Sequence, residues 1–490
     1  MLFNSYVFLF LFFPITLIGF YILKALKLSV PMKVWLIGMS LWFYGYFNPW
    51  YLIIIATSIV VNYLLCILMN KVAATPELKG RRKAIMVVGI VFNVGILFYY
   101  KYFNFFIDNV NWIFKTDFCV EKILLPLGIS FFTFQEIGFM VDAYRGDVKN
   151  LSFVDFMLFV TFFPQLIAGP IVTQDEMLPQ FNNLVNKKFS KDQFSRGLAL
   201  FIMGLMKKVL IADVFGNAVD WAYAYHSSLN GTGSLLALLF ANLQMYFDFS
   251  GYCDMARGIG GMFLIDIVVN FNSPYKAKSV IEFWSRWQIT MSRFLTKYIY
   301  IPLGGSRKGN FRTYLNTFIV FTISGIWHGA GWKYMIWGML FGVLNIFSRM
   351  LRDIKKKIPP LINNIEAFIF IALQGALFRA DTLKQFWEML TNVFTKGFGA
   401  IPLEMAEAFN RTEYVFLQDC FHISAFSFAP YIMIVLFMIL AFFLCFVTKN
   451  ACEIAASLKF KPITGVILSI GFVWAVVSLS EVSTFLYFNF

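Results

Sequence analysis

Residues 51–69 read YLIIIATSIVVNYLLCILM, nineteen residues without one formal charge. A helix rises about 1.5 Å per residue, so this run matches the ~30 Å hydrocarbon core of a bilayer. A helix apolar on every face sits either deep in a large protein core or in lipid, and the composition of the whole chain decides for lipid. The rest of the chain repeats the pattern. Of 490 residues, 59% are hydrophobic and 14% charged, against about 25% charged in soluble domains. Aromatic residues make up 19%, with 61 Phe for lipid and core contact and Tyr and Trp suited to the two interfaces.

Working outward, further apolar runs lie at 2–23, 34–47, 84–107, 123–141, 194–214, 234–252, 313–330, 332–347, 361–378, 428–447 and 463–488. The run 153–172 is broken by Pro164, Gly169 and Pro170, which membrane segments tolerate where protein or an aqueous cavity surrounds them. The expected fold is an all-α polytopic membrane protein of roughly 10–12 spans plus re-entrant and in-plane helices. No repeat and no Gly/Ser- or Pro-rich linker divides it, so residues 1–490 read as a single membrane domain. The first apolar run has no basic flank before it and no small-residue cleavage site, so it reads as a retained span.

The formal net charge is +14. The basic residues sit in short loops between apolar runs, where they orient the chain and meet lipid headgroups; nucleic acid is not an expected partner. Lys24, Lys27 and Lys33 follow the first run, and Lys71, Lys79, Arg81, Arg82 and Lys83 separate the third and fourth. Arg349, Arg352 and Lys355 to Lys357 precede the run at 361, and Lys449, Lys459 and Lys461 precede the last. The positive-inside rule places these loops in the cytoplasm and both termini outside. Residues 381–426, with six acids and three bases, then also fall outside. The six cysteines form no C-x-x-C pair and read as small apolar residues.

Two stretches depart from plain hydrophobicity. In 270–310 a helix starting near Ser279 puts Trp284, Trp287, Met291, Phe294 and Tyr298 on one face and Arg286, Arg293 and Lys297 in a basic stripe. Such a helix lies in the interface or lines a cavity. Two readings stand: cations that meet lipid phosphate only, or cations, with Arg307 in the turn GGSRKG at 304–309, that receive an anionic donor such as coenzyme A. The second stretch is SGIWHGAGW, residues 324–332. Of three histidines, His328 alone sits in an apolar run, and an ionisable residue at membrane depth suggests function. It suits a general base for a hydroxyl acceptor, and it equally suits a neutral histidine that packs two helices. His226 and His422 read as solvated or core-satisfied. Gln135, Glu136, Asp142, Gln165, Gln244, Asp248 and Asp254 are as compatible with capping and internal networks as with catalysis. No Walker A, G-x-S-x-G or H-E-x-x-H pattern occurs, so nucleotide hydrolysis, a serine triad and zinc chemistry lack support, and no metal is expected.

The runs EFWSRWQITMSRFLTKYIYIPLGGSR and SGIWHGAGWKYMIWGMLFG resemble the membrane-bound O-acyltransferases, in particular the branch of alginate O-acetylation protein I. So do LLPLGISFFTFQEIGFMVDAYRG (124–146), FFPQLIAGPIV (162–172), QMYFDFSGYCDMARGIGGMF (244–263), NFNSPY (270–275) and the terminal FLYFNF; the matching core runs from about 120 to 345. The resemblance implies a helical fold around a central tunnel and a cytoplasmic acyl donor, acetyl-coenzyme A for this branch. It also implies a polysaccharide acceptor outside and a secreted partner with an SGNH-hydrolase-like fold. The family's catalytic histidine falls on His328. Where bacterial relatives read W-H-I-S-L-S, this chain reads Trp287-Gln288-Ile289-Thr290-Met291-Ser292. Gln288 cannot titrate, so the resemblance leaves it the role of a hydrogen-bonding amide that positions a carbonyl or His328. Arg286, Arg293 and Arg307 are the expected donor-phosphate cations. Two alternatives are a D-alanyl transfer protein of teichoic acid synthesis and a non-enzymatic transporter or scaffold.

Overall fold

A computed structural model describes residues 1–73, 79–148, 151–421, 428–480 and 485–486. Every regular element among them is helical. The principal helices are α1 (Phe13–Ala25), α2 (Ser29–Gly45), α3 (Tyr51–Ala73), α4 (Lys79–Leu97), α5 (Phe103–Phe114), α6 (Ile129–Arg145), α7 (Phe153–Thr161), α8 (Lys191–Met206), α9 (Asp213–Ala224), α10 (Gly231–Met262), α11 (Val280–Trp284), α12 (Ile289–Leu295), α13 (Gly309–His328), α14 (Trp332–Met350), α15 (Pro360–Arg379), α16 (Leu383–Thr395), α17 (Thr412–Phe421), α18 (Ala429–Phe442) and α19 (Pro462–Val477). Five helical stretches are long and apolar enough to cross a membrane by length and composition alone: Phe8–Ala25, Tyr51–Val72, Gly80–Phe114, Pro360–Arg379 and Ala429–Val447. The others carry too much polar side chain or are too short, as expected of helices that face protein rather than lipid.

Local chemistry sets the helix starts. Ser190 accepts from the Gln193 N–H at the start of α8, Asn230 from the Gly233 N–H at α10, and Ser279 from the Glu282 N–H at α11. Each satisfies a donor that the first turn leaves without an intrahelical partner. Pro360 opens α15, where a missing N–H costs nothing.

α10 is the axis. Its 32 residues run about 48 Å, well beyond the expected 234–252, and most of them are buried on all sides. α8, α9, α15 and α16 pack on it. α8 lies so close that a Cβ on Gly197 would meet the Gly258 carbonyl at 2.7 Å and one on Gly204 the Gly251 carbonyl at 2.6 Å. Small-residue contact of this kind replaces the hydrophobic effect as the drive for helix association in lipid. α13 and α14 form a second close pair, described with the site below.

Two expectations need correction. The run 123–141 is helical only from Ile129, because Pro126 removes a donor and Gly128 turns left-handed at φ 72°. The amphipathic helix expected from Ser279 is not continuous. It stops at Trp284 and restarts at Ile289, because Gln288 sits at φ 44°, ψ 52°.

The basic loops gather at one end of the bundle. Lys24 donates to the Leu184 and Val185 carbonyls, Arg196 to the Ala455 carbonyl, Lys276 to the Thr448 carbonyl, and Asn364 to the Tyr275 and Ala277 carbonyls. At the opposite end Trp332 bonds Asn109 and Asn230 bonds the Ala400 carbonyl.

Candidate active site

α13 starts at the basic end and carries His328 as its last residue, about 30 Å away. Gly329 then turns the chain into α14. A Cβ there would lie 2.1 Å from the Tyr334 ring, so only glycine lets the hairpin close this tightly. Lower in the hairpin, Gly325 and Gly338 face each other, each blocked from bearing a side chain by a partner carbonyl within 2.4 Å.

The His328 ring is 3% exposed and walled by aromatic edges. Its centroid lies 5.0 Å from Trp327, 5.1 Å from Trp337 and 5.3 Å from Phe378. These walls are themselves fixed: the Trp327 indole donates to the Ser130 carbonyl at 3.2 Å and the Trp337 indole to the Gln374 carbonyl at 3.0 Å. Lys101, from the π-helical turn Phe98–Tyr102 that joins α4 to α5, donates to the carbonyls of Trp327 (2.7 Å) and His328 (3.0 Å) and to the Ser130 hydroxyl (3.1 Å). It sits at the negative end of α13 and satisfies carbonyls that the last turn cannot bond. Nothing in the pattern around Lys101 marks it, since the carbonyls it satisfies lie more than 220 positions away.

Cavities reach the ring from both directions. On the side away from the basic loops, a pocket of about 30 Å³ is bounded by Lys101, Gly128, Ser130, Ile167, Trp327 and His328. On the other side a pocket of similar size is bounded by Asn242, Trp284, Trp287, Trp337, Phe378 and His328. Trp284 also walls two larger cavities. One, of about 370 Å³, is lined by Tyr300, Tyr314, Ser324, Asn345 and Arg349; the other, of about 540 Å³, by Glu176, Arg293, Lys297 and Tyr298.

Gln288 is 1% exposed, next to Trp287 of the inner pocket. Its bend is clamped from the NFNSPY motif: the Asn270 carbonyl accepts the Ile289 N–H, and the Asn270 side chain accepts both the Thr290 N–H and hydroxyl. Of the three expected donor cations, Arg286 pairs with Glu282 at 2.9 Å and Arg293 with Glu176 at 2.7 Å, while Arg307 stays in the turn before α13. Sequence reasoning missed Arg349, which lines the 370 Å³ cavity and has no acidic partner among the described residues.

The remaining polar residues are tied into the scaffold. Glu136 takes the Ser58 hydroxyl, and Asp142 holds Lys297 (2.9 Å) and Tyr298 (2.8 Å). Asp248 pairs with Lys208 and Asp254 with Lys207; Gln135 and Gln165 both donate to the Phe159 carbonyl. His226 bonds the Tyr223 carbonyl and Glu388, a structural contact near the surface, and His422 lies outside the described residues.

Residues 83–378 match MBOAT, the membrane-bound O-acyltransferase family. The peptidoglycan O-acetyltransferase of Helicobacter pylori is 36% identical over all of this chain and 98% of its own length. The probable alginate O-acetylase of Pseudomonas aeruginosa is 36% identical over 81% of this chain and 75% of its own. The teichoic acid D-alanyltransferase of Streptococcus thermophilus is 24% identical over 46% and 56%. A match covering 83–378 and a relative 36% identical over the full length of this chain together show that it is an O-acyltransferase and belongs to the membrane-bound O-acyltransferase family.

Proposed function

We propose that this protein moves an acetyl group from cytoplasmic acetyl-coenzyme A to hydroxyls of an extracytoplasmic polysaccharide, with His328 as the general base. The observation that carries the reading is that His328 lines two pockets whose walls share no other residue, so that a thioester and a hydroxyl can approach one imidazole along different walls. In the step, the acceptor O–H gives its proton to the imidazole and its oxygen bonds the acetyl carbon. The carbon–sulfur bond then breaks, and the imidazolium returns the proton to the leaving thiolate. The aromatic walls exclude water, which would otherwise compete as acceptor. Gln288 acts as a positioning amide beside the inner pocket.

The basic end is read as cytoplasmic and the termini as extracytoplasmic, in line with the charge distribution of the loops. Arg293 and Lys297 of the 540 Å³ cavity, Arg349 of the 370 Å³ cavity and Arg307 in the adjoining turn are the proposed contacts for the donor's phosphates, with Arg286 held by Glu282 at their edge. Acetyl is preferred over D-alanyl because the relatives named for O-acetylation cover four-fifths or more of this chain and the D-alanyltransferase less than half. The acceptor is read as peptidoglycan or a related polymer, reached through a secreted SGNH-hydrolase-like partner.

Purified protein with radiolabelled acetyl-coenzyme A tests this. Transfer or thioester cleavage is expected in the parent and a loss of at least a hundredfold in His328→Ala at unchanged melting temperature, in the range of a lost general base. Equal rates in the two proteins remove His328 from the mechanism.

A further inference from the structure

Trp284 ends α11 and is 7% exposed. It is a wall of three cavities: the two large ones that open toward the basic end and the small one that contains His328. Its ring is packed by edges, 4.9 Å from Phe341, 5.2 Å from Phe321 and 6.0 Å from Trp337. Its indole N–H is fully buried and has no hydrogen-bond partner among the described residues. The contrast with its neighbours is sharp, since Trp327 and Trp337 each give their N–H to a backbone carbonyl. A buried donor without a partner costs about 1–3 kcal/mol, and native proteins keep few of them. Phe would keep the edge-on aromatic packing without that cost, as it does at positions 321 and 341 of the same cluster.

We propose that the Trp284 N–H is a donor-binding group that hydrogen-bonds an amide carbonyl in the pantetheine arm of acetyl-coenzyme A as the arm threads from the basic-end cavities to His328. The assignment rests on the donor of the proposed function. Position selects the acceptor atom. Trp337 neighbours both rings, 6.0 Å from Trp284 and 5.1 Å from His328, and all three line one pocket, so a thioester placed at His328 leaves Trp284 facing groups several bonds back along the arm. The pantetheine amides are the hydrogen-bond acceptors in that part of the molecule. The aromatic rings around Trp284 lower the local dielectric, which strengthens a hydrogen bond made there. Trp284 neither gives up nor receives an atom; it aligns the arm and thereby selects thioesters that carry amides.

The test compares two donors on the full-length protein in lipid nanodiscs: acetyl-coenzyme A and S-acetyl-1-butanethiol, a thioester without amides. Trp284→Phe is expected to raise the KM for acetyl-coenzyme A roughly three- to tenfold, the range of one lost hydrogen bond, with kcat little changed and kcat/KM for the butyl thioester unaltered. Replacing Trp284 by β-(3-benzothienyl)alanine, which keeps the ring shape and removes only the N–H, is expected to give the same result and covers the case in which the Phe variant folds poorly. An equal effect on both thioesters, or none on either, overturns the assignment and leaves the proposed function standing. A parent protein that cleaves neither thioester overturns the proposed function and this assignment with it.

Discussion

Gln288 holds a left-handed backbone, φ 44°, that costs a non-glycine residue of order 1–3 kcal/mol. The clamp from Asn270 imposes it, and the residue at the bend is buried next to the inner pocket wall. If the amide itself contributes to transfer, backbone and side chain separate experimentally. Gln288→Gly relieves the backbone, because glycine adopts this conformation freely, and empties a buried site, so its stability is expected to stay near the parent's as the two effects oppose, while transfer falls at least tenfold. Gln288→Val, β-branched at positive φ, is expected to lose about 1–3 kcal/mol of stability as well. Full activity in the Gly variant would leave the amide no role. Lys101 makes a parallel case. Lys101→Met leaves the Trp327 and His328 carbonyls without their donor, at about 1–3 kcal/mol for each buried group, and lets the histidine drift. Thermal unfolding and transfer rate are both expected to fall, and Lys101→Arg to recover part of each. His328 stands out in the sequence as a lone ionisable group in an apolar run, a pattern that fits a base and a packing histidine equally, and only the family resemblance separates the two. Gln288 was legible as a residue type but not as a bend, since left-handed glutamine has no sequence signature. Lys101 was not legible at all: its value lies in carbonyls that only the folded chain brings near.

The α13–α14 hairpin is the element that presents the histidine, and glycines set its spacing. At Gly338 a methyl group would lie 2.4 Å from the Phe321 carbonyl, a backbone atom that cannot swing aside. Gly338→Ala must therefore push the two helices apart, and overpacking of this kind typically costs about 1–3 kcal/mol. The expected outcome is a lower melting temperature together with a lower transfer rate, because the shift reaches Trp337, the adjacent residue and a wall of the histidine pocket. Gly95→Ala in α4, where a Cβ would meet nothing within 4 Å, is the control and is expected to leave both unchanged. A Gly338 variant that melts and reacts like the control would contradict the close packing. Most of the helices could be located from apolar runs alone, but their ends and breaks could not. α10 extends past its expected limits because its flanks, polar in sequence, are covered by α8 and α16 rather than by lipid. The stretch from Ser279 splits because a tertiary hydrogen-bond clamp outweighs helical periodicity over the few residues around Gln288.

At the scale of the whole molecule the chain is a vectorial device only if its two ends face different compartments, and its own cysteines report which is which. Cys119 and Cys420 are exposed, while Cys66, Cys253 and Cys445 are buried. Cys119 follows α5, whose Asn109 is bonded by Trp332 at the start of α14, and α14 ends at the basic loop around Arg349; Cys119 thus lies at the end opposite the basic loops. Cys420 belongs to α17, whose Glu413 accepts from Trp474 in the last turn of α19 and from Ser478 just past it, and α19 starts next to Lys459 and Lys461. The same opposite end therefore carries both thiols. With basic loops retained inside, a membrane-impermeant maleimide added to intact cells should modify both, and Cys119→Ser with Cys420→Ser should abolish the signal. Labelling that requires permeabilised cells would invert the orientation, place the donor cavities on the outer side, and leave the proposed route from cytoplasmic thioester to external hydroxyl without a physical path.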